Sequence, residues 1–130
     1  MNIQSPKVNT QKSTVELFNF LTDVVNYEKL MPENISKFEI IRENAFVFAL
    51  KGMPEIALEL KNSTPNSKVV LGSMSDKLSF TLSADIEETS SGKAATQLTF
   101  EGEFNMMMTM MIKGPITKFL ETLAENVSKL

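Results

Sequence analysis

The chain of 130 residues contains no cysteine and no histidine. Without cysteine, neither a disulfide framework nor a thiol nucleophile is possible. Without histidine, the chain lacks the commonest general base and the commonest zinc ligand. Together these absences remove the residues on which many catalytic and metal sites depend. We therefore predict neither a metal site nor a cofactor.

The chain also lacks a run of basic residues and a long apolar segment. Its 13 basic and 16 acidic residues give a net charge of −3, and the lysines are spread singly, so nucleic-acid binding through phosphates has little support. No apolar stretch approaches the roughly 20 residues that a membrane-spanning helix needs. The opening MNIQSPKVNT has no signal-peptide core. We expect one cytoplasmic domain over residues 1–130, with no nucleic-acid partner and no stable membrane insertion.

Two short helices are predicted near the start of the chain. After an extended segment over residues 3–10, Ser13 and Glu16 form the S-x-x-E pattern of a capping box, in which each side chain accepts from the other residue's backbone N–H. Apolar residues at helical spacing then predict helices over residues 14–21 and 24–30. Met31-Pro32 ends the second helix, because the residue before proline avoids helical backbone angles.

Alternating apolar and polar residues predict about six further strands in the middle of the chain. The alternation is clearest over residues 46–50 and in the segment that runs from Leu78 to residue 86. Such alternation is typical of strands with one buried and one solvated face. Short polar turns, among them residues 42–44 and Ser75-Asp76, favour antiparallel hairpins in sequence order.

A long amphipathic helix closes the chain. Its apolar stripe at 3.6-residue spacing consists of Ile112, Ile116, Phe119, Leu120, Leu123, Val127 and Leu130. Gly114-Pro115 interrupts the early part, which predicts a kink or a fresh helix start with Pro115 in its first turn. A sheet with one apolar face needs a cover. This helix is the only predicted element long enough to lie across it.

Two segments carry a resemblance to a known superfamily. They are STVELFNFLTDVVNYEKLMPE near the start and FEGEFNMMMTMMIKGPITKFLETLAENVSKL at the end. The first resembles the opening helix pair, and the second the last strand with its long helix, of the START and birch-pollen-allergen superfamily. The small bacterial polyketide cyclase/dehydrase and lipid-transport branch is the most similar. The resemblance covers essentially the whole chain and implies an α+β helix-grip fold. In that fold a curved antiparallel sheet of about seven strands surrounds a long C-terminal helix, and two short helices follow the first strand.

The resemblance also implies a cavity between sheet and helix that binds a small hydrophobic molecule such as a lipid, polyketide or quinone. The cavity-lining residues that we predict are Tyr27, Phe48, Leu58, Phe80, Phe100, Phe104, Met107, Met108, Met111 and Phe119. Two departures favour a carrier over an enzyme. The turn at residues 42–44 has no glycine, unlike the glycine-rich loop of pollen-type members. The chain also lacks Trp and His, whereas the cyclases place polar and aromatic groups inside the cavity.

An enzyme of the cyclase type remains the first alternative function. It needs at least one polar group inside the cavity with a usable pKa, and Tyr27, Arg42 and Thr96 are the only candidates. The acidic pair Glu101 and Glu103 shares one face of its strand, but this is the face opposite the predicted cavity. We therefore assign no catalytic residue, and a non-enzymatic protein is the favoured interpretation.

Five of the nine methionines fall within residues 106–111. Projected onto a helix, Met108 falls on the core line, whereas Met106 and Met110 point away from it. Methionine fills irregular gaps in cores, and its flexible chain also suits an adaptable pocket. An exposed set would instead form a patch for a protein partner or a membrane surface. A protein-interaction module that docks through Met106 and Met110 is thus the second alternative function.

Overall fold

The structure is a computed structural model that describes residues 1–75 and 79–130. Within these residues, eight strands, two α-helices and one 3₁₀ helix follow one another along the chain. The strands are β1 (Asn2–Gln4), β2 (Val8–Asn9), β3 (Ile35–Arg42), β4 (Ala45–Leu50), β5 (Ile56–Thr64), β6 (Lys68–Ser73), β7 (Phe80–Glu88) and β8 (Ala94–Gly102). The helices are α1 (Thr14–Thr22), the 3₁₀ helix (Val24–Leu30) and α2 (Met106–Ser128).

The described strands form one antiparallel sheet with the neighbour order β1-β8-β7-β6-β5-β4-β3, and β2 also pairs with β8. From β3 to β8, each strand therefore lies beside the next one in sequence, as the short turns predict. The predicted helix-grip fold is confirmed, with a curved sheet, a long C-terminal helix and short helices after the first strand. Asp76 and Leu78, where a turn and a strand start are predicted, lie outside the described residues.

The predicted capping box starts α1. The Ser13 side chain accepts a hydrogen bond from the backbone N–H of Glu16, and the Glu16 carboxylate accepts one from the backbone N–H of Ser13. These bonds hold the pKa of Glu16 below its ordinary value, because they favour the charged carboxylate. Asp23 then caps the following helix by accepting from the N–H of Val25. This second helix has the predicted bounds but is of the tighter 3₁₀ type.

Side chains of the 3₁₀ helix satisfy the carbonyls at the end of α1. Asn26 donates through its side-chain amide to the Phe20 carbonyl at 3.0 Å, and the Tyr27 hydroxyl donates to the Leu21 carbonyl at 2.8 Å. The last carbonyls of a helix have no partner within the helix itself. These two bonds therefore fix the angle at which the two helices meet, and with it one wall of the space under the sheet.

Strand β4 departs from the simple alternation, because all six of its residues are buried. Its inward residues are large, whereas the outward ones are Ala45, Val47 and Ala49. Each of these three lies in register with a longer charged residue on a neighbouring strand, namely Glu59, Glu39 and Lys37 respectively. Long side chains cover their apolar neighbours with their methylene stems. Charged residues of β3 and β5 thus shield a small apolar strip on the outer face.

Helix α2 lies against the inner face of the sheet through its second half. The fully buried residues of α2 are Ile116, Phe119, Leu120, Leu123, Ala124 and Val127. The helix begins at Met106, where the Asn105 side chain accepts from the N–H of Met108 at 2.8 Å. It runs through Pro115 without interruption, so the predicted alternative of a fresh start at Pro115 is wrong. The early N-cap at Asn105 explains the difference, and the predicted kink stays a prediction.

Candidate functional site

A small internal cavity lies between the sheet and α2. It has a volume of about 10 Å³ and is lined mostly by apolar residues from the helices and the middle strands, among them Leu71 and Leu123. About 10–15 Å³ is needed to admit a single water molecule. This cavity is therefore too small for a ligand.

A continuous series of stacked rings fills much of this interior. Tyr27 stacks on Phe46 with ring centres 5.3 Å apart, Phe46 lies 6.0 Å from Phe48, and Phe48 lies 5.0 Å from Phe119 on α2. The planes of the last pair are only 10° apart. Aromatic side chains bury large areas and pack well in such offset stacks. The stack connects the 3₁₀ helix, the sheet and α2 in one rigid layer.

A second aromatic cluster lies where β8 leads into α2. Phe80, Phe100 and Phe104 have ring centres between 4.9 and 6.4 Å apart. Gly102 lies against them, and a Cβ atom there would come within 2.8 Å of the Phe80 Cβ. Since a backbone-attached atom cannot move aside easily, only glycine fits at this point. The cluster thus positions the start of α2 relative to the sheet.

A large open groove lies at one end of the sheet and has a volume of about 1040 Å³. One wall is a face of α2 formed by residues three to four positions apart, from Pro115 through Phe119 to Asn126. The opposite wall consists of the segment 31–34, which follows the 3₁₀ helix, and residues 50–53, which begin the turn between β4 and β5. We call this space the groove.

Hydrogen bonds between its walls hold the groove in shape. The Asn126 side-chain amide donates to the Leu30 carbonyl at 2.8 Å and so ties α2 to the 3₁₀ helix. The backbone N–H of Lys51 donates to the Asn34 carbonyl at 2.9 Å and joins the two parts of the opposite wall. Gly52 turns the chain there at a φ of +84°, a left-handed angle that glycine adopts without strain. The groove is therefore preformed.

The groove combines an apolar floor with a charged rim. Leu50 and Phe119 are buried in the floor, and Met31 and Met53 beside them are half-buried. The rim carries exposed charged residues, which are Lys29, Lys51, Lys118 and Glu33. Seven of its fourteen lining residues are polar or charged, so the groove is more polar than the mostly apolar lining that is usual for a small-molecule site.

Two of the ten predicted cavity-lining residues line a space in the structure. Phe119 lies in the floor of the groove, and Tyr27 borders the small internal cavity. Phe48, Leu58 and Phe100 are buried in the core, whereas Met107 and Met111 are exposed. The remaining three are half-buried, and they are Phe80, Phe104 and Met108. A role for these residues in binding stays a prediction.

The polar groups considered for catalysis are occupied. The Tyr27 hydroxyl is bonded to the Leu21 carbonyl, and burial raises the pKa of Tyr27 far above its ordinary value. Thr96 is buried but donates to the Asp85 carbonyl at 2.7 Å. Arg42 is exposed and pairs with Glu59 on the outer face, where Lys61 and then Arg42 lower the pKa of the Glu59 carboxyl. Arg42 therefore does not supply a polar group inside the predicted cavity.

The polar side chains in the described part of the chain are satisfied within the protein or dispersed over its surface. Every buried side-chain nitrogen or oxygen atom there has a hydrogen-bond partner. No group of three or more metal-ligating acidic residues comes together in residues 1–75 and 79–130. Across the same residues, no helix is both long and apolar enough to span a membrane.

All nine methionines lie at the end of the sheet that carries the groove. Met1 bonds through its backbone to Gly102 at the end of β8, and Met74 follows β6 directly. Met31 and Met53 line the groove, and the other five open α2. Sequence patterns show the cluster at residues 106–111 but miss the other four, because only the pairing of antiparallel strands brings these turns to one end.

Four of the clustered methionines face solvent. The exposed fractions are 81% for Met106, 73% for Met107, 78% for Met110 and 65% for Met111. We call these four residues the methionine patch. Met108 is half-buried, as its projected position on the core line predicts. An apolar cluster exposed to this degree is unusual at a protein surface and is typical of a contact site.

No protein-family model matches the chain, and no curated protein matches it significantly. Solved structures do share its fold. Norcoclaurine synthase from Thalictrum flavum superposes with a TM-score of 0.76 at 12% identity, covering 99% of this chain and 84% of that one. KanY superposes with a TM-score of 0.75 at 9% identity, covering 99% of this chain and 95% of that one. The Aha1 dimer from Colwellia psychrerythraea superposes with a TM-score of 0.64 at 14% identity, covering 98% of this chain and 96% of that one. At these identities the likeness establishes the helix-grip fold alone.

Proposed function

We propose that this protein binds a small hydrophobic molecule in the groove between α2 and the β4–β5 turn. The observation that carries the proposal is the groove itself, a preformed space of about 1040 Å³ with an apolar floor. This volume is at the upper end of the roughly 300–1,000 Å³ typical of small-molecule sites. Binding would be driven by removal of apolar area from water, which contributes about 25 cal/mol per Å².

This location differs from the predicted cavity between sheet and helix. Phe119 connects the two, because it lies in the groove floor and stacks on Phe48 behind it. A ligand in the groove contacts Phe119, Met31 and Met53 first. The deeper predicted residues, such as Phe48 and Leu58, would be reached only by a ligand that displaces the Phe119 ring. We therefore place the primary contacts on the groove floor.

The arrangement favours a carrier over a cyclase-type enzyme. Norcoclaurine synthase shows by its name that an enzyme can share this fold, so the fold does not decide the matter. The partners of the candidate groups support the carrier, since Tyr27 and Thr96 are bonded to backbone carbonyls and Arg42 pairs with Glu59 on the outer face. None of the three lines the groove.

Binding can be tested with an apolar fluorescent probe and two matched tryptophan variants of α2. Thr122→Trp places a large ring in the groove, whereas Glu121→Trp places the same ring on the exposed side of the helix. We expect the probe to bind the wild type and the Glu121 variant, and to bind the Thr122 variant at least about tenfold more weakly, a loss of roughly 1.4 kcal/mol. Absence of probe binding to the wild type, or equal binding to both variants, would contradict the proposal.

The methionine patch supports a second candidate function, which is contact with a protein partner. Its four side chains are 65–81% exposed, and none of them lines the groove. A photo-crosslinking residue at position 110 should give a discrete product in a cell extract, whereas the same residue at position 125 should not. Glu125 is exposed on the same helix and provides the control. Equal crosslinking at both positions would exclude a specific partner at the patch.

A further inference from the structure

Three lysines at the groove differ in their partners from the cations on the outer face of the sheet. On the outer face of the sheet, the cations are paired with carboxylates of neighbouring strands, as in Lys68 with Asp85 and Lys37 with Glu55. In the groove, by contrast, Lys29, Lys51 and Lys118 form no ion pair with any carboxylate of the described residues. Outside the groove, Lys12, Lys93 and Lys113 also form no ion pair with a carboxylate of the described residues. This difference occurs in a chain whose net charge is −3.

The three groove lysines come from three separate elements. Lys29 lies in the last turn of the 3₁₀ helix, Lys51 follows β4 directly, and Lys118 belongs to α2. Two of them are sequence neighbours of floor residues, since Lys51 follows Leu50 and Lys118 precedes Phe119. The same backbone segments that present the apolar floor therefore also present cations at its edge.

From this arrangement we infer that the groove takes an amphiphile with an anionic head group, a carboxylate or a phosphate monoester, and an apolar tail. The inference rests on the proposed function of the groove. The tail packs on Phe119, Met31 and Met53, while the head lies at the rim between the lysines. Lysine is a flexible point charge that binds either kind of anion. Glu33, the single acidic residue of the lining, repels an anion, but the three lysines outnumber it.

A series of ligands with one tail and different heads tests the inference. The series consists of dodecanoate, dodecyl phosphate, dodecanol and dodecylammonium below their micellar concentrations, each measured by displacement of the apolar probe. We expect the two anions to bind about three- to thirtyfold more tightly than the alcohol, and the ammonium to bind weakest. Exposed charge pairs are individually weak, so the range reflects several modest contributions. The preference should shrink as salt is added, because salt screens exposed charges.

Charge-matched triple variants locate the effect. Lys29→Gln/Lys51→Gln/Lys118→Gln removes the rim cations, whereas Lys7→Gln/Lys61→Gln/Lys68→Gln removes the same charge from surfaces outside the groove. We expect the first variant to bind dodecanoate and dodecanol equally and the second to keep the wild-type preference. Equal affinity for anion and alcohol in the wild type, or a preference that survives in the rim variant, would overturn the inference. Failure of every ligand and of the probe would overturn the proposed function instead.

Discussion

The two halves of α2 have different relations to the rest of the molecule. Residues 116–128 contribute six buried side chains and cover the sheet. Residues 106–115 contribute none, and four of their methionines are among the most exposed apolar side chains of the described chain. Both halves belong to one continuous helix and both are apolar in composition. Apolar composition alone therefore does not show which part of a helix is core, and methionine is not acting as a core filler at these four positions.

The first way to test this comparison is to shorten one side chain in each half. Leu123→Ala removes a side chain that is 1% exposed, and we expect it to lower the free energy of unfolding by about 2–5 kcal/mol. Met107→Ala removes a side chain that is 73% exposed, and the change should stay within about 0.5 kcal/mol. Urea denaturation measures both. A loss of more than about 1 kcal/mol in the Met107 variant would show that the first half is packed.

Amide hydrogen exchange tests the same comparison without a mutation. Amides of residues 116–127 should exchange at least about a hundredfold more slowly than those of residues 106–115, because local opening is easiest where few buried contacts hold the backbone. A hundredfold ratio corresponds to roughly 2.8 kcal/mol. The comparison is internal to one sample, so solution conditions cancel. Equal protection along the whole helix would mean that the methionine half is held by contacts of equal strength.

These contrasts show which features of the fold could be predicted from the sequence. The capping box at Ser13 and Glu16 is local, since four consecutive residues form it, and it is present as predicted. Strand alternation and the stripe of α2 are also local periodicities. The order of these elements, together with the resemblance of the two terminal segments to a known superfamily, predicted the helix-grip fold.

The candidate site could be predicted only in part, because it depends on contacts between distant segments. The rings of Phe48 and Phe119 stack on each other where the cavity is predicted. The spacing of apolar residues in a sequence does not show how closely two such rings approach. In the sequence, Met31 indicates only the end of a helix, and Met53 belongs to no apolar pattern. Both belong to the groove because residues 31–34 and the β4–β5 turn meet at one end of the sheet. The predicted hairpin order also shows which turns lie at the same end of the sheet, and this information could have identified both residues.

Tyr27 provides a further test of the packing around the second half of α2, because it borders the same small cavity as Leu123. Tyr27→Phe leaves the Leu21 carbonyl without its donor and should cost about 1–2 kcal/mol, with no loss of probe binding. Burial raises the pKa of the folded hydroxyl. Below about pH 10, the ordinary pKa of tyrosine, both states keep the proton and stability is unaffected by this group. Above it, only the unfolded state ionises, so stability falls as pH rises.

The control for this pH dependence is the Tyr27→Phe variant itself. Lysines also titrate near pH 10.4, so the wild-type curve contains their contribution as well. Tyr27 is the only tyrosine of the chain, and the difference between the two unfolding curves therefore isolates it. Curves that run parallel from pH 9 to pH 11 would mean that the hydroxyl is not held in the buried, bonded position.

A small effect on stability is also expected at Pro115, where the two halves of α2 meet. Proline has no N–H to donate to the carbonyl four residues earlier, but it also restricts the unfolded chain. Because these contributions oppose each other and Pro115 is exposed, we expect Pro115→Ala to change the free energy of unfolding by less than about 1 kcal/mol.

Pro115 also lines the groove, so the variant should alter the rate of probe release in stopped-flow displacement. Gly114→Ala is the matched control, since Gly114 does not line the groove and an added Cβ there meets no atom within 4 Å. Unchanged release rates in both variants would show that the junction at Pro115 does not affect the groove. Residues 106–115 would then have no part in ligand exchange.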